Sequence, residues 1–456
     1  MEATAMIDRS RLSDLLERER TAFKERNPRS FAAYTGAQHL FGRVPMTWMN
    51  KAAGGFPLYA AKASGARVED IDGHVLIDFC LGDTGAMAGH SPKPIVDAVV
   101  EQIAGRGGVT TMMPTADADW VATELARRFG LPFWSFSLTA TDANRWAIRL
   151  ARSITGRPKI LFNSYCYHGT VDESLVVVGP DGHAASREGN VGAPSDVTTT
   201  SRVAEYNDLD GLERELANGD VAAMLMEPAL TNMGIVLPHD GYLTGVRSLT
   251  KKYGTLLIND ETHTFSAGPG GATRAWSLTP DMLTIGKAIA GGIPVGAYGM
   301  SAELAQHLAS RGDLDMVDVG GVGGTLAGNP VSITAARATL EHVLTNKAFE
   351  TMISLSTHFA AGVQEVIDTH ELPWSVSQLG ARTEYRFTSP PPSNGTESHA
   401  ATDGELEDYL HVYLANRGIL MTPFHNMALM SPATTREDVD KHHEMFGHAV
   451  GELVGA

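Results

Sequence analysis

The sequence predicts a large α/β domain with a mostly parallel sheet buried between helices, and a smaller α+β domain built from both ends of the chain. Three observations lead there. Apolar runs in the middle of the chain are continuous instead of alternating, which is how strands covered on both faces read. Amphipathic stretches separate those runs, giving the βαβα texture of a parallel sheet flanked by helices. The two ends lack that texture and carry helices, turn signals and short strands.

The apolar runs are Lys159–Phe162 (KILF), Val221–Met226 (VAAMLM), Thr255–Ile258 (TLLI) and Met282–Ile285 (MLTI). Between them, Val121, Leu125 and Phe129 recur at helical spacing in Asp117–Phe129, and Asp142–Ile154 opens on an acid and is rich in Ala, Leu and Arg. The large domain is placed at residues 76–335. Residues 1–75 begin with a charged, exposed or docking helix and carry an Asp-Gly turn at Asp72-Gly73. Residues 336–456 complete the small domain, with helices at Ala335–Leu344, Glu405–Asn416 and Arg436–Leu453 and strands at Gly418–Thr422 and Met427–Met430. The Pro/Ser segment 389–404 reads as a loop, and the polar stretch Gly179–Ser201 as a surface loop or a mobile lid.

Composition narrows the function classes. The 456 residues are 43% hydrophobic and 20% charged, an ordinary globular balance long enough for two or three domains. Lys and Arg total 36 against 53 Asp and Glu, a net charge of −17 that argues against nucleic-acid or anionic-membrane partners. Two cysteines, Cys80 and Cys166, exclude a disulfide framework or a Cys-rich metal site. No apolar run is long enough to span a bilayer, and the charged N-terminus lacks a signal-peptide core, so the cytoplasm is the expected location.

Three glycine-rich stretches, Gly82–Gly89, Gly286–Gly296 and Gly320–Gly328, contain neither a GxGxxG fingerprint nor a GxxxxGK[ST] phosphate loop. His443, Glu444 and His448 put two histidines five apart, where a metal pair on one helical face needs four, so no metal site is expected. The informative pair is Asp260 and Lys287. Asp260 and Glu261 end an apolar strand, and ligands of parallel sheets collect at such carboxyl edges. Lys287, twenty-seven residues later, is the only charged residue between Met282 and Met300. A lysine with so much Gly, Ala and Ile around it loses hydration, which favours a neutral, nucleophilic amine. The spacing alone leaves a solvated loop lysine and a capping aspartate equally open.

The segments 137–170 (SLTATDANRWAIRLARSITGRPKILFNSYCYHGT), 226–234 (MEPALTNMG), 258–265 (INDETHTF), 283–299 (LTIGKAIAGGIPVGAYG) and 323–330 (GGTLAGNP) resemble, in order and spacing, the class III pyridoxal-phosphate (PLP) aminotransferases. The resemblance covers about residues 30–450, including DIDGHVLIDF and GHSP near 70–92. CYHG, EP-x-x-x-NMG and GGTLAGNP are most similar to the glutamate-1-semialdehyde aminomutase branch, which also contains true aminotransferases acting on β-amino acids. It implies a fold-type I PLP-transferase with a seven-stranded sheet, pyridoxal 5'-phosphate as cofactor, and a homodimer with the active site at the subunit interface.

The resemblance carries over residue by residue. Asp260 matches the carboxylate that keeps the pyridine nitrogen protonated, so the ring acts as an electron sink. Lys287 matches the Schiff-base lysine, which then moves the proton. Tyr167 matches the aromatic stacked on the ring face; His168, beside it, and Thr262 are further cofactor-binding candidates. The phosphate cup falls on Thr139, Ala140 and Thr141, at a helix start whose N–H groups favour an anion. Ala140 stands where the family has Gly, so strain is expected if that position needs positive φ. Asn232 matches the asparagine bonding the cofactor's phenolic oxygen, and Glu227 a strand-end acid acting from behind the site. Thr325 matches the residue reaching the phosphate from the neighbouring subunit.

Substrate candidates are Arg43, Arg382, Asp83 and Thr84, with Trp48 and Met49 as an apolar wall. The function implied first is an aminotransferase moving an amino group from a small-molecule amine or amino-acid donor to a 2-oxo acid acceptor. GRVPMTW departs from the aminomutase pattern, which puts an aminomutase second and a catalytically silent PLP-fold binding protein third.

Overall fold

The computed structural model describes residues 7–192, 195–317 and 319–455. Two compact units emerge. One comprises the chain up to Pro92 with Glu350–Pro392 and Ala401 onward; the other comprises Lys93–Phe349 with Ser393–Ala400.

The second unit is organised by a seven-stranded sheet: β1 (Phe133–Ser137), β2 (Lys159–Asn163), β3 (Ser201–Ala204), β4 (Val221–Met226), β5 (Leu256–Asp260), β6 (Met282–Ile285) and β7 (Gly296–Met300), in spatial order β1-β7-β6-β5-β4-β2-β3. β3, β2, β4, β5 and β6 are mutually parallel, while β7 runs antiparallel to both β6 and β1. All six residues of β4 are buried, as its unbroken apolar run requires. Helix Ala140–Thr155 lies against the sheet on Ala143, Ala147 and Ala151, small enough to let it approach closely.

β7 was not legible in sequence because GAYGM looks like a strand breaker. A Cβ on Gly299 would stand 2.7 Å from the Trp134 ring, and one on Gly296 would stand 2.3 Å from the Thr139 carbonyl oxygen. Both glycines are there for close approach.

In the first unit, helix Arg9–Arg26 packs on helix Gly404–Asn416 and buries Leu12, Leu16 and Phe23. A meander of Ala60–Ser64, Arg67–Asp70 and Val75–Asp78 turns at Asp72-Gly73, and Ile419–Leu420 joins it in parallel from the other end of the chain. A second sheet pairs Ser375–Leu379, Arg382–Arg386 and Met427–Leu429, all antiparallel. Helix Asn346–Thr369, absent from the sequence reading, buries Met352, Phe359, Val363 and Ile367 at helical spacing. Its His358 gathers with Asp440 and His443, ligand-type atoms within 4.8 Å of one another. His443 thus meets Asp440 of its own helix, three residues back, and His358 of another.

Two loop expectations are corrected. Segment 389–404 contains helix Gly395–Ala400. Segment 179–201 contains strand Ala184–Ser186, hairpinned to Val176–Val178, and a 3-10 turn at Val197–Thr199; residues 193–194 lie outside the described part. No helix of the described residues is long and apolar enough to cross a membrane.

Candidate active site

Parallel pairing brings the carboxyl ends of β2, β4, β5 and β6 to one edge of the sheet. Tyr165–Thr170 follow β2, Glu227–Met233 follow β4, Asp260 closes β5 and Lys287 follows β6. The end of β1 shares that edge and leads into the helix that begins at Ala140. The edge is where a doubly covered sheet offers its ligand site.

Asp260 is 3% exposed and fully engaged. Its Oδ2 accepts from Asn144 Nδ2 at 2.8 Å and lies 2.9 Å from His168 Nδ1; its Oδ1 accepts from the Thr262 N–H at 3.0 Å. Asn144 also donates to the His168 carbonyl and accepts from Thr284 Oγ1, so one amide locks three strand ends. Burial pushes the Asp260 carboxyl upward, but the His168 bond and charge outweigh it and hold it below the usual range. For His168, burial opposes the charge, while Cys166 and the bonded Asp260 hold the imidazole well above its usual value. Each group thus favours the charged form of the other. His168, with none of its surface exposed, sits behind Asp260, and its direct contact is with that acid.

Glu261, the other acid of the motif, faces inward. It accepts from Thr264 Oγ1 and from the N–H groups of Ala272 and Thr273, closing the turn after β5.

Lys287 is half-buried with φ +48°, and its Nζ lies 2.9 Å from His263 Nε2. The preceding Gly286 meets the phosphate-cup segment closely: a Cβ there would stand 2.9 Å from Ala140 N. That contact brings the Lys287 loop to the start of helix Ala140–Thr155. Thr139 is that helix's N-cap, its Oγ1 accepting from the Asp142 N–H at 3.2 Å. Ala140 is the first helical residue and has no positive φ, so the strain expected there is absent. Thr141 Oγ1 accepts from the Thr170 N–H at 3.3 Å.

Gly169 makes that last contact possible. It has φ +78°, and a Cβ would fall 2.0 Å from Thr141 Oγ1. Gly169→Ala should cost about 1–3 kcal/mol through the forbidden backbone and the clash. Urea unfolding of the variant checks this; a change under about 0.5 kcal/mol would show that the loop relaxes freely.

Tyr167 is 37% exposed at the edge, and its N–H donates to Glu227 Oε1 at 3.3 Å. Glu227 is buried, bonded also to Thr231 Oγ1, and holds the Tyr167 backbone from behind. Asn232 Nδ2 donates to the Tyr165 carbonyl at 3.1 Å. Thr325 lies exposed on a glycine-rich loop.

Among the substrate candidates, Arg382 and Thr84 come together in the first unit: the guanidinium, 2% exposed, donates to Thr84 Oγ1. Asp83 and Thr84 both have positive φ, in the turn after Val75–Asp78. Arg43 is exposed, 5.7 Å over the Tyr34 ring. Sequence reasoning missed Asn144 and His263. His263 lay inside a quoted motif, three residues past Asp260, but nothing in a linear sequence points it at residue 287.

The chain matches the family Aminotransferase class-III over residues 48–450. It is 34% identical over 395 residues to glutamate-1-semialdehyde 2,1-aminomutase of Desulfitobacterium hafniense (strain Y51), covering 86% of this chain and 90% of that one. The chain belongs to the class III aminotransferases. Among solved structures, this class III enzyme is 45% identical to a glutamate-1-semialdehyde-aminomutase from Pseudomonas aeruginosa PAO1, a lysine-to-alanine variant in complex with PMP, with a TM-score of 0.95 and coverage of 98% and 99%. It is 29% identical to an omega-transaminase from Sphaerobacter thermophilus, with a TM-score of 0.84 and coverage of 93% and 97%.

The fold is accordingly that of the fold-type I PLP transferases, and the class III enzyme is PLP-dependent. Its residues fit the cofactor: a buried carboxylate held ionised at a strand end, a lysine on the same edge, and a helix start approached by a glycine that a Cβ would block.

Proposed function

We propose that this class III enzyme is an aminomutase of the glutamate-1-semialdehyde type, moving an amino group within one small carboxylated substrate. The similarity to two aminomutases, at 45% and 34% identity across nearly their whole lengths, supports it. It supports this reading better than the transfer between two substrates that the sequence put first. A second reading, an aminotransferase with a separate amine donor and 2-oxo acid acceptor, draws on the likeness to the omega-transaminase.

In either reading the bound cofactor supplies an aldehyde that binds amines and a ring that accepts electrons. Lys287 is the residue that would hold the aldehyde, and its freed amine would move the proton at the substrate carbon. Asp260 would stand under the ring nitrogen and keep it protonated, with His168 and Asn144 positioning the carboxylate. Tyr167 would cover the ring, Asn232 would bond its phenolic oxygen, and the helix start at Thr139–Thr141 would take the phosphate. Thr325 would reach the phosphate of a second copy, which makes a homodimer the working form.

Stoichiometry separates the readings. Holoenzyme given glutamate-1-semialdehyde alone should isomerise it through many turnovers with no oxo acid present. If one amine donor converts the cofactor once and turnover then requires a 2-oxo acid, the aminotransferase is correct. If neither occurs and no cofactor adduct forms at Lys287, the chain is a binding protein.

A further inference from the structure

We infer that Arg187 anchors a carboxylate of the substrate, in a subsite formed with Tyr165 and Met233 beside the Tyr167 loop. The inference rests on the proposed amino-group chemistry at Lys287 and adds the residue that selects acids.

Arg187 is placed by ordered structure. It directly follows the hairpin strand Ala184–Ser186, and its N–H donates to the Leu175 carbonyl at 2.9 Å. The side chain is half-buried, its Cζ 5.3 Å from the centre of the Tyr165 ring and its Nη2 3.0 Å from Met233 Sδ. Among the described residues no carboxylate forms an ion pair with it. A thioether is a weak acceptor and occupies one of five donors. Burial accordingly pulls this guanidinium below its ordinary pKa.

Other sheltered arginines of the same unit are answered. Arg128 is bonded to Glu124 and three carbonyls, Arg202 to Asp220 and Glu215, and Arg247 doubly to Asp281. Arg187 is the exception, and an arginine fork that is desolvated and unpaired matches a carboxylate in two-point geometry.

Its surroundings tie it to the site. Tyr165 and Tyr167 flank Cys166 in the loop after β2; Asn232 and Met233 follow β4, and Asn232 bonds the Tyr165 carbonyl. Tyr165 holds φ +60°, an uncommon conformation for an aromatic residue, and its ring stacks on His399 at 4.6 Å. The aromatic platform under Arg187 is thus fixed by two neighbours, and the guanidinium stands among residues that carry the cofactor candidates.

The test compares wild type with Arg187→Gln and Arg187→Lys, using glutarate as a carboxylate probe that has no amine to react. Calorimetry on the holoenzyme should show glutarate affinity falling about ten- to a hundredfold in Arg187→Gln, the worth of a charged two-point contact. KM for a carboxylated amine should rise by the same factor with kcat much less changed, and an amine without a carboxylate should be unaffected. Glutarate should also protect Arg187 from phenylglyoxal, read by peptide mass. The visible band of the Lys287 adduct reports whether each variant keeps its site. Unchanged glutarate affinity in Arg187→Gln, or loss of the band itself, overturns the inference. Absence of the band in wild type overturns the proposed function instead.

Discussion

Lys287→Ala should abolish covalent capture of pyridoxal phosphate and lower activity by about ten-thousandfold or more, because in the proposed function one side chain would be both the covalent holder and the proton carrier. The local backbone is built around it. Lys287 occupies the left-handed region at φ +48°, which costs an ordinary residue about 1–3 kcal/mol, and glycine on its N-terminal side permits the close contact with Ala140. Such strain persists only where the surroundings enforce it. His263 Nε2, 2.9 Å from Nζ, gives the amine a hydrogen-bond partner. Borohydride reduction followed by peptide mass spectrometry checks the prediction: wild type should carry the reduced cofactor on Lys287 and the variant none. Lys287→Arg is the informative control, since it keeps a long basic side chain beside His263 yet cannot form an imine. Capture by Lys287→Arg, or at another lysine of Lys287→Ala with activity retained, would assign the chemistry elsewhere.

What the sequence made legible follows from local physics. Val221–Met226 and Met282–Ile285 were bounded correctly because a strand covered on both faces reads as a near-continuous apolar run. The apolar run Thr255–Ile258 stops two residues before the strand does, since Asn259 and Asp260 continue β5 as buried, bonded polar groups. Helix Asn346–Thr369 was missed although it is the longest among the described residues; its Thr, Ser, Ile and Gly content is weak in helix propensity, and packing decides it. At the site, Asp260, Lys287 and Tyr167 were visible as motif members at or just past strand ends. The contacts that hold them in place were not. Asn144 meets Asp260 across 116 residues and Lys287 meets His263 across 24, separations that no periodicity encodes. Arg187 was hidden for another reason: its segment is polar and read as loop, whereas the hairpin that aims it is held by backbone pairing.

Asp260→Asn is the second large effect expected, and it should appear in stability as well as in rate. The change keeps the shape of the side chain but removes the charge that His168 answers, leaving the buried imidazole without its acid. Breaking a buried pair in this way costs about 3 kcal/mol. The pH dependence has a definite sign. His168 has its folded pKa raised above its ordinary 6.5, so its contribution is complete below about 6.5 and is lost as pH rises through the raised value. Asp260 has its folded pKa lowered below 3.8, so its contribution is present above about 3.8 and is lost as pH falls through the lowered value. Wild type should therefore draw most from the pair between about pH 4 and 6.5, and retain part of it at neutral pH. In Asp260→Asn the gain over that window should vanish, and the His168 ring should titrate near or below its ordinary value. Urea unfolding across the pH range and the imidazole resonance of His168 measure the two effects separately. The rate should fall by about a hundred- to a thousandfold with the cofactor still attached to Lys287, because an amide cannot keep the ring nitrogen protonated. A variant that is equally stable at pH 5.5 and still turns over at the wild-type rate would mean that the acid at the end of β5 is only a strand cap.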